Sequence, residues 1–270
     1  MEARETLHKG DVVEMGLKKL KTLDLFSGIG GFSLGLERTG GFETVSFCEI
    51  DKFCKKVLAK HWPNVPCHDD ITKLTGSMVG EIDVICGGFP CQDISVAGRG
   101  AGIDGERSGL WGEYARIIRE LRPRYVIVEN VSALLGRGIG RVLGDLAALG
   151  YDAEWHCIRG HEIGAPQQRD RIFIAAYAHK IGTERLEPFK HLGQDGSWWA
   201  GCSEDLRKIY ESPFGGCDMW PQPLVRRVDV WVSDRVDRVG SCGNSIFPKI
   251  AEAIGNAILD FKNGKTPGKT

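Results

Sequence analysis

The sequence predicts a doubly wound α/β domain, a sheet covered by helices on both faces, with a small loop-rich second region. Two observations carry this: strand-like and helix-like segments alternate along the first two thirds of the chain, and the strand-like segments are continuous apolar runs rather than alternating ones. A third is a glycine-rich turn at the first strand–helix junction, where such folds hold a ligand.

In chain order, KTLDLF at 21–26 reads as a strand running into SGIGG, and FSLGLERTG as a helix that stops at Gly40-Gly41. TVSFCEID is a strand ending in two acids, followed by a helix over about 52–61. EIDVICGGFP gives the next strand, apolar from Ile82 to Cys86 except for Asp83. A helix over about 110–121 leads into RYVIVENV, a strand of Tyr, Val and Ile. A helix around 141–149, a strand near 154–158 and the strand RIFIAAYA complete the series. From Pro248 a last helix carries Ile250, Ala253, Ile254, Ala257 and Ile258 on one face. Between them, residues 179–239 hold Trp198, Trp199, Trp220 and Trp231 with several Gly and Pro and no long period. We therefore expect one domain built from 1–178 plus 240–270, and a small second region at 179–239.

Composition bounds the function loosely. The 270 residues are 42% apolar, enough for a sizeable core, and 35 basic against 36 acidic residues neither require nor exclude a nucleic-acid partner. No apolar run approaches a membrane span and the first 20 residues lack a signal-peptide core, so a cytoplasmic protein is expected. Nine cysteines without a CxxC pair argue against a disulfide framework or a structural metal, and no metal is expected.

In such sheets ligands collect outside the carboxyl ends of the strands. There the sequence offers Phe26, Ser27, Gly28, Gly30 and Gly31 after the first strand, and Glu49, Ile50 and Asp51 after the second. Asp70 and Ile71 precede the next, Pro90, Cys91 and Gln92 follow it, and Glu129-Asn130 end the following one. A glycine loop with an acid one strand on suits the ribose diol of an adenosine cofactor, in nicotinamide and adenosylmethionine enzymes alike. The loop departs from GxGxxG in having Ser33 at the third glycine. Most cysteines are small buried hydrophobes, a reading that suits Cys48, Cys54, Cys86 and Cys157. Cys91 differs: it follows rigid Pro90 at a strand end and precedes polar Gln92-Asp93, a position with the access a thiolate needs.

Taken together, DLFSGIGGFSLGLE, FCEIDKFC, DDIT, GGFPCQDISVAGRG, VIVENV, APQQRDRIFIA and CGNSI resemble, in order, the motifs of the DNA cytosine-5 methyltransferases. The resemblance spans about 21–178 and 240–260, and implies a Rossmann-like adenosylmethionine-dependent methyltransferase sheet, mixed but mostly parallel. It implies Cys91 as the nucleophile for cytosine C6 and Glu129 as the group on N3 and the exocyclic amine, a role that favours a buried carboxyl. Arg171 of QxRxR would contact the cytosine O2, with Arg169 supporting it and Gln167 at the motif's first position. For S-adenosyl-L-methionine it implies Phe26, Ser27, Gly28, Gly30 and Gly31 at the methionine end and Glu49 on the ribose. Ile50 and Pro90 would pack on the adenine, Asp70 and Ile71 would hold its edge, and Asn244 and Ser245 would return beside the amino acid. Gln92, Ser95, Arg99 and Arg107 lie in the segment resembling the family's mobile loop, expected on double-stranded DNA with the target base flipped out.

A monomer is expected, and a companion restriction endonuclease fits the same context. Two departures stand out. The 179–239 region is short for target recognition, and VSDRVDRVGSCGNSIFP matches the motif before GNS only loosely. Arg226, Arg227, Arg235 and Arg238 alternate there with acids, which suits a solvated face as well as a phosphate contact. A tRNA methyltransferase on the same scaffold is the rival enzyme, although the expected Cys-Phe-Thr variant is absent. A DNA-binding relative without catalysis and a nucleotide-dependent oxidoreductase are the more distant readings.

Overall fold

The run LKTLDL forms β1 (Leu20–Leu25) at the middle of the sheet, buried at every position but one. Covered on both faces, it has no solvent side on which polar residues could alternate. A computed structural model describes residues 18–90, 110–159, 170–179 and 246–264 of the chain. After β1 come α1 (Gly31–Arg38), β2 (Phe42–Cys48), α2 (Lys52–His61), β3 (Cys67–His68), α3 (Gly76–Val79) and β4 (Val84–Gly88). Then follow α4 (Leu110–Leu121), β5 (Tyr125–Val131), α5 (Leu134–Arg137), α6 (Ile139–Ala148), β6 (Tyr151–Arg159), β7 (Asp170–Ala178) and α7 (Pro248–Lys262).

The seven strands run in the order β3-β2-β1-β4-β5-β7-β6. Pairings from β3 to β5 are parallel, while β7 is antiparallel to both β5 and β6. This is the mixed, mostly parallel sheet that the resemblance implies. Alternate residues of each strand feed two cores. On one face Trp111, Tyr114, Ile117 and Ile118 of α4 and Val142 and Leu146 of α6 cover Leu23, Leu25, Ile85 and Val128. On the other, Phe32 and Leu36 of α1 and Ile250, Ile254 and Ile258 of α7 cover Val84, Cys86, Tyr125 and Ile127. Each such buried Leu, Ile or Phe contributes about 1.5–3 kcal/mol, so the two layers are the main stabilising term.

Helix α7 packs directly on α1. A Cβ at Gly35 would stand 2.1 Å from the Pro248 carbonyl oxygen and 2.7 Å from the Ala251 Cβ, so Gly35→Ala would force the two helices apart. The far end of the chain is thereby fixed to the helix that follows the glycine loop. β6 extends well beyond the predicted 154–158, from Tyr151 to Arg159. It is an edge strand with Trp155 and His156 exposed, and its outward residues dilute the apolar signal. The elements β3, α3 and α5 were not predicted, because two to four residues carry no period. Among the described residues no helix is long and apolar enough to cross a membrane.

Candidate active site

From β1 the chain steps outward through β2 and β3, then returns to β4 on the other side of β1. The reversal opens a crevice at the carboxyl ends of β1 and β4, the usual ligand position in open α/β sheets. Around it the register sets Leu25 beside Cys48 and Gly87, and Gly88 beside Glu129.

At the end of β1, Phe26 adopts a left-handed backbone with φ 52°, which costs a non-glycine residue about 1–2 kcal/mol. Its ring stacks on Tyr114 at 6.4 Å, a contact that helps hold the turn. Ser27 donates its N–H to the Cys48 carbonyl at 3.2 Å and its hydroxyl to the Asp24 carbonyl at 2.6 Å. Gly28 and Gly30 also have positive φ, but for different surroundings. Nothing lies within 4 Å of a Cβ built on Gly28, whereas one on Gly30 would stand 2.6 Å from the Trp62 ring. Gly28 thus faces open space, and Gly30 makes room for the tryptophan that ends α2. Gly31 begins α1 and is buried.

Glu49 spans from β2 to this loop. Its Oε2 accepts the Gly28 N–H at 2.7 Å and its Oε1 the Asp51 N–H at 2.7 Å. Each oxygen keeps a second lone pair, so the carboxylate can still accept from a diol. Ile50, next to it, is 75% exposed. Asp51 turns away and accepts the Cys54 N–H at the start of α2, a bond that lowers its pKa. Beyond β3, Asp70 Oδ1 accepts from the Thr72 N–H at 2.9 Å and the Thr72 hydroxyl at 2.7 Å, with Lys73 3.7 Å from Oδ2. The two Thr72 bonds hold the Asp70 carboxyl below its ordinary pKa. Ile71 points into the core.

Glu129 lies two residues before the carboxyl end of β5 and is 8% exposed. Arg171 sits opposite Val131 on antiparallel β7, and so on the face of Glu129, with its Nε 2.8 Å from Glu129 Oε1. Beneath the carboxylate lies Gly88, where a Cβ would be 2.5 Å from Glu129 Oε2. The adjacent Asn130 is buried and donates its amide to the Phe89 carbonyl at 3.0 Å, while its Oδ1 accepts the Val131 N–H at 2.9 Å. It ties the end of β5 to the backbone just before half-buried Pro90.

Sequence reasoning did not assign this tether, nor the fully buried Asp24 on β1. Burial pushes the Asp24 carboxyl up to about 7, against hydrogen bonds from Ser33 and Cys86 that favour ionisation. The Ser33 hydroxyl donates to Asp24 Oδ2 at 2.7 Å, which gives a reason for serine where a third glycine was expected. The signal was in the sequence: an acid inside an apolar strand needs a partner.

The structure therefore brings together Phe26, Ser27, Gly28, Gly30, Gly31 and Glu49 at one end of the crevice, and Glu129 and Arg171 at the other. Pro90 lies after β4, and Ile50, Asp70 and Ile71 flank the first group. Cys91, Gln92, Ser95, Arg99, Arg107, Gln167, Arg169, Asn244 and Ser245 lie outside the described residues, as do Arg226, Arg227, Arg235 and Arg238.

Comparison with known proteins adds independent findings. The family model for C-5 cytosine-specific DNA methylases matches residues 20–212. The type II methyltransferase M1.ScrFI of Lactococcus lactis subsp. cremoris is 39% identical over 166 residues, 60% of this chain and 42% of that protein. The type II methyltransferase M.NgoBV of Neisseria gonorrhoeae is 33% identical over 228 residues, 78% of this chain and 50% of that protein. The chain thus spans about half the length of the relatives it matches. A crystal structure of a Spodoptera frugiperda DNMT2 mutant aligns with a TM-score of 0.52 at 21% identity, over 63% of this chain and 54% of that one. That likeness concerns the fold alone.

Proposed function

Since the chain belongs to the C-5 cytosine-specific DNA methylase family, we propose that it transfers a methyl group from S-adenosyl-L-methionine to C5 of a cytosine flipped out of double-stranded DNA. The observation that carries this reading is the ion pair of buried Glu129 with half-buried Arg171, seated over Gly88 only three residues before Cys91 in the chain. An acid and a cation at the end of adjacent strands match the N3 edge and O2 of a cytosine. A nicotinamide enzyme would give that pair and Cys91 no shared task.

The residues present also fit the cofactor. Open space at Gly28 admits a ligand against the backbone, Glu49 has lone pairs for the ribose hydroxyls, and exposed Ile50 offers an apolar surface to a purine. Phe26 and the glycines would hold the methionine end, Asp70 and Ile71 the adenine edge, and Pro90, Asn244 and Ser245 the remaining sides. When bound, S-adenosyl-L-methionine supplies an electrophilic methyl on a sulfonium.

Cytosine C5 is a weak nucleophile within an aromatic ring. The Cys91 thiolate adds to C6 and breaks the aromaticity, while Glu129 holds N3 and the amine and supplies a proton to N3 as charge builds there. Arg171 bonds the base O2 and keeps the Glu129 carboxyl in place, with Arg169 beside it. After transfer to C5, loss of the C5 proton drives out Cys91 and restores the ring. Reaching this pocket requires the base to leave the duplex. We assign Gln92, Ser95, Arg99 and Arg107 to the DNA backbone and residues 179–239 to target recognition, with 1–178 and 240–270 as the catalytic unit.

The test is covalent trapping on duplex DNA carrying 5-fluorocytosine, where the fluorine cannot leave as a proton does. With S-adenosyl-L-methionine, wild type should form a denaturant-resistant adduct and Cys91→Ser none. No adduct from wild type across DNA of diverse sequence overturns the proposal.

A further inference from the structure

Helix α4 reaches across to the turn that follows β3 and holds it at two points. Arg116, half-buried on α4, donates from Nη2 to the Ile71 carbonyl at 2.8 Å. Its other nitrogens are fixed by its own helix: Nε bonds Glu113 Oε2 at 2.7 Å and Nη1 bonds Glu120 Oε1 at 2.7 Å. Those residues stand one turn before and one turn after, so the guanidinium is locked in one orientation. Glu120 then uses its second oxygen to accept the Gly76 N–H at 2.8 Å. The turn between Ile71 and Gly76 is thus pinned at both ends by one charged triad. Below it, Ile71 and Leu74 are buried in the core.

The turn itself sets the Asp70 carboxylate. Thr72 takes Oδ1 through its N–H and its hydroxyl, while Oδ2 lies 3.7 Å from the Lys73 ammonium. The Asp70 backbone carbonyl also accepts from the Lys73 and Leu74 N–H groups, so the segment is bonded to itself as well as to α4. Wherever the Ile71 carbonyl is held, Asp70 follows.

We infer that Arg116 is a positioning residue for the adenine end of the cofactor, acting through the Ile71 carbonyl on the turn that carries Asp70. The inference rests on the adenosylmethionine reading above, and assigns to α4 a part in cofactor affinity that neither the glycine loop nor Glu49 supplies. Without the guanidinium, the turn keeps its internal bonds but loses its fixed distance from α4. Adenine recognition weakens while the methionine end and the base pocket stay intact.

Calorimetry on the full chain tests this with S-adenosylhomocysteine and with 5′-deoxy-5′-methylthioadenosine, which lacks the amino-acid end. Arg116→Met should raise both dissociation constants by the same factor, about tenfold, the order of one charge-assisted hydrogen bond. The kcat at saturating cofactor should stay within about twofold, since no group on the base is touched. Glu120→Gln keeps the fold's charge pattern nearly intact and should give a smaller shift in the same direction, so the question stands even if Arg116→Met folds poorly. Unchanged affinities in a folded Arg116→Met overturn the inference, as does a kcat that falls in step with affinity. Wild type that binds neither ligand overturns the cofactor reading itself, a result distinct from both.

Discussion

Glu129 occupies the space that a side chain on Gly88 would need, since a Cβ there would stand 2.5 Å from Glu129 Oε2. The two residues are register partners on parallel β4 and β5, so neither can move aside without breaking the ladder. Gly88→Ala should therefore displace the carboxylate rather than the backbone. A displacement near 1 Å lowers turnover by about a hundredfold, and overpacking costs about 1–3 kcal/mol. Single-turnover methylation with a parallel thermal melt checks both, and a Gly88→Ala enzyme of wild-type rate would show that the carboxylate has no fixed place.

Arg171 and Glu129 meet at 2.8 Å with their side chains 22% and 10% exposed. Such shielding makes the pair stronger than a surface ion pair but leaves it partly solvated. A double-mutant cycle of Glu129→Gln and Arg171→Gln should give a coupling of about 1–2 kcal/mol in urea unfolding. Either substitution should lower kcat by about 10²–10⁴, because each removes a group from the base, with little change in S-adenosylhomocysteine affinity. A coupling near zero would mean that the close approach contributes nothing to the fold.

Much of this site was legible in the sequence because strand ends announce themselves. An apolar run that gives way to a glycine or an acid names the element and marks where its carboxyl end is near, as with Cys86 to Gly87 or Val128 to Glu129. The strand order was not legible in this way: nothing in the alternation says that antiparallel β7 lies between β5 and β6. What the sequence withheld were relations across the sheet. Nothing in GGFP says that Gly88 yields space to a glutamate some 40 residues on, or that Asn130 reaches back to Phe89. Arg116 shows the divide within one residue: its spacing to Glu113 and Glu120 is readable as helical pairs, whereas its bond to Ile71 depends on how α4 lies over the turn.

Asp24 gives a pH dependence whose sign is fixed by burial. Its carboxyl is pushed from 3.8 to about 7 despite the Ser33 and Cys86 bonds, and the neighbouring Cys86 and Tyr114 are pushed up as well and stay neutral. Glu49 is the facing charge, and it disfavours a second anion. The folded protein thus binds this proton more tightly than the unfolded chain does. Its stabilising effect is full below pH 4 and is lost as the pH rises through 7, by an amount on the order of 4 kcal/mol. Asp51, Asp70 and Glu120 have lowered values and act in the opposite sense, below pH 4. Asp24→Asn cannot ionise, so its stability relative to wild type should climb between pH 4.5 and 8 in urea unfolding. A constant difference across that range would be evidence against a buried proton at Asp24.

Asn130 is the fourth test, because its two bonds can be removed separately. The amide donates to the Phe89 carbonyl at 3.0 Å, and Oδ1 accepts the Val131 N–H at 2.9 Å. Asn130→Ala removes both and should cost about 2 kcal/mol, the penalty for buried backbone groups left without a partner. Asn130→Asp retains the acceptor but has no donor for Phe89, the residue two before Cys91. If the tether is what holds the Phe89-Pro90 backbone against β5, both variants should slow adduct formation on 5-fluorocytosine DNA by at least about tenfold. If stability alone matters, each variant should slow in proportion to its own loss of stability, which a carboxyl buried against the Phe89 carbonyl makes at least as large in Asn130→Asp as in Asn130→Ala. Adduct rates compared at matched folded fraction separate the two cases, and equal slowing in both variants assigns the effect to the bond with Phe89.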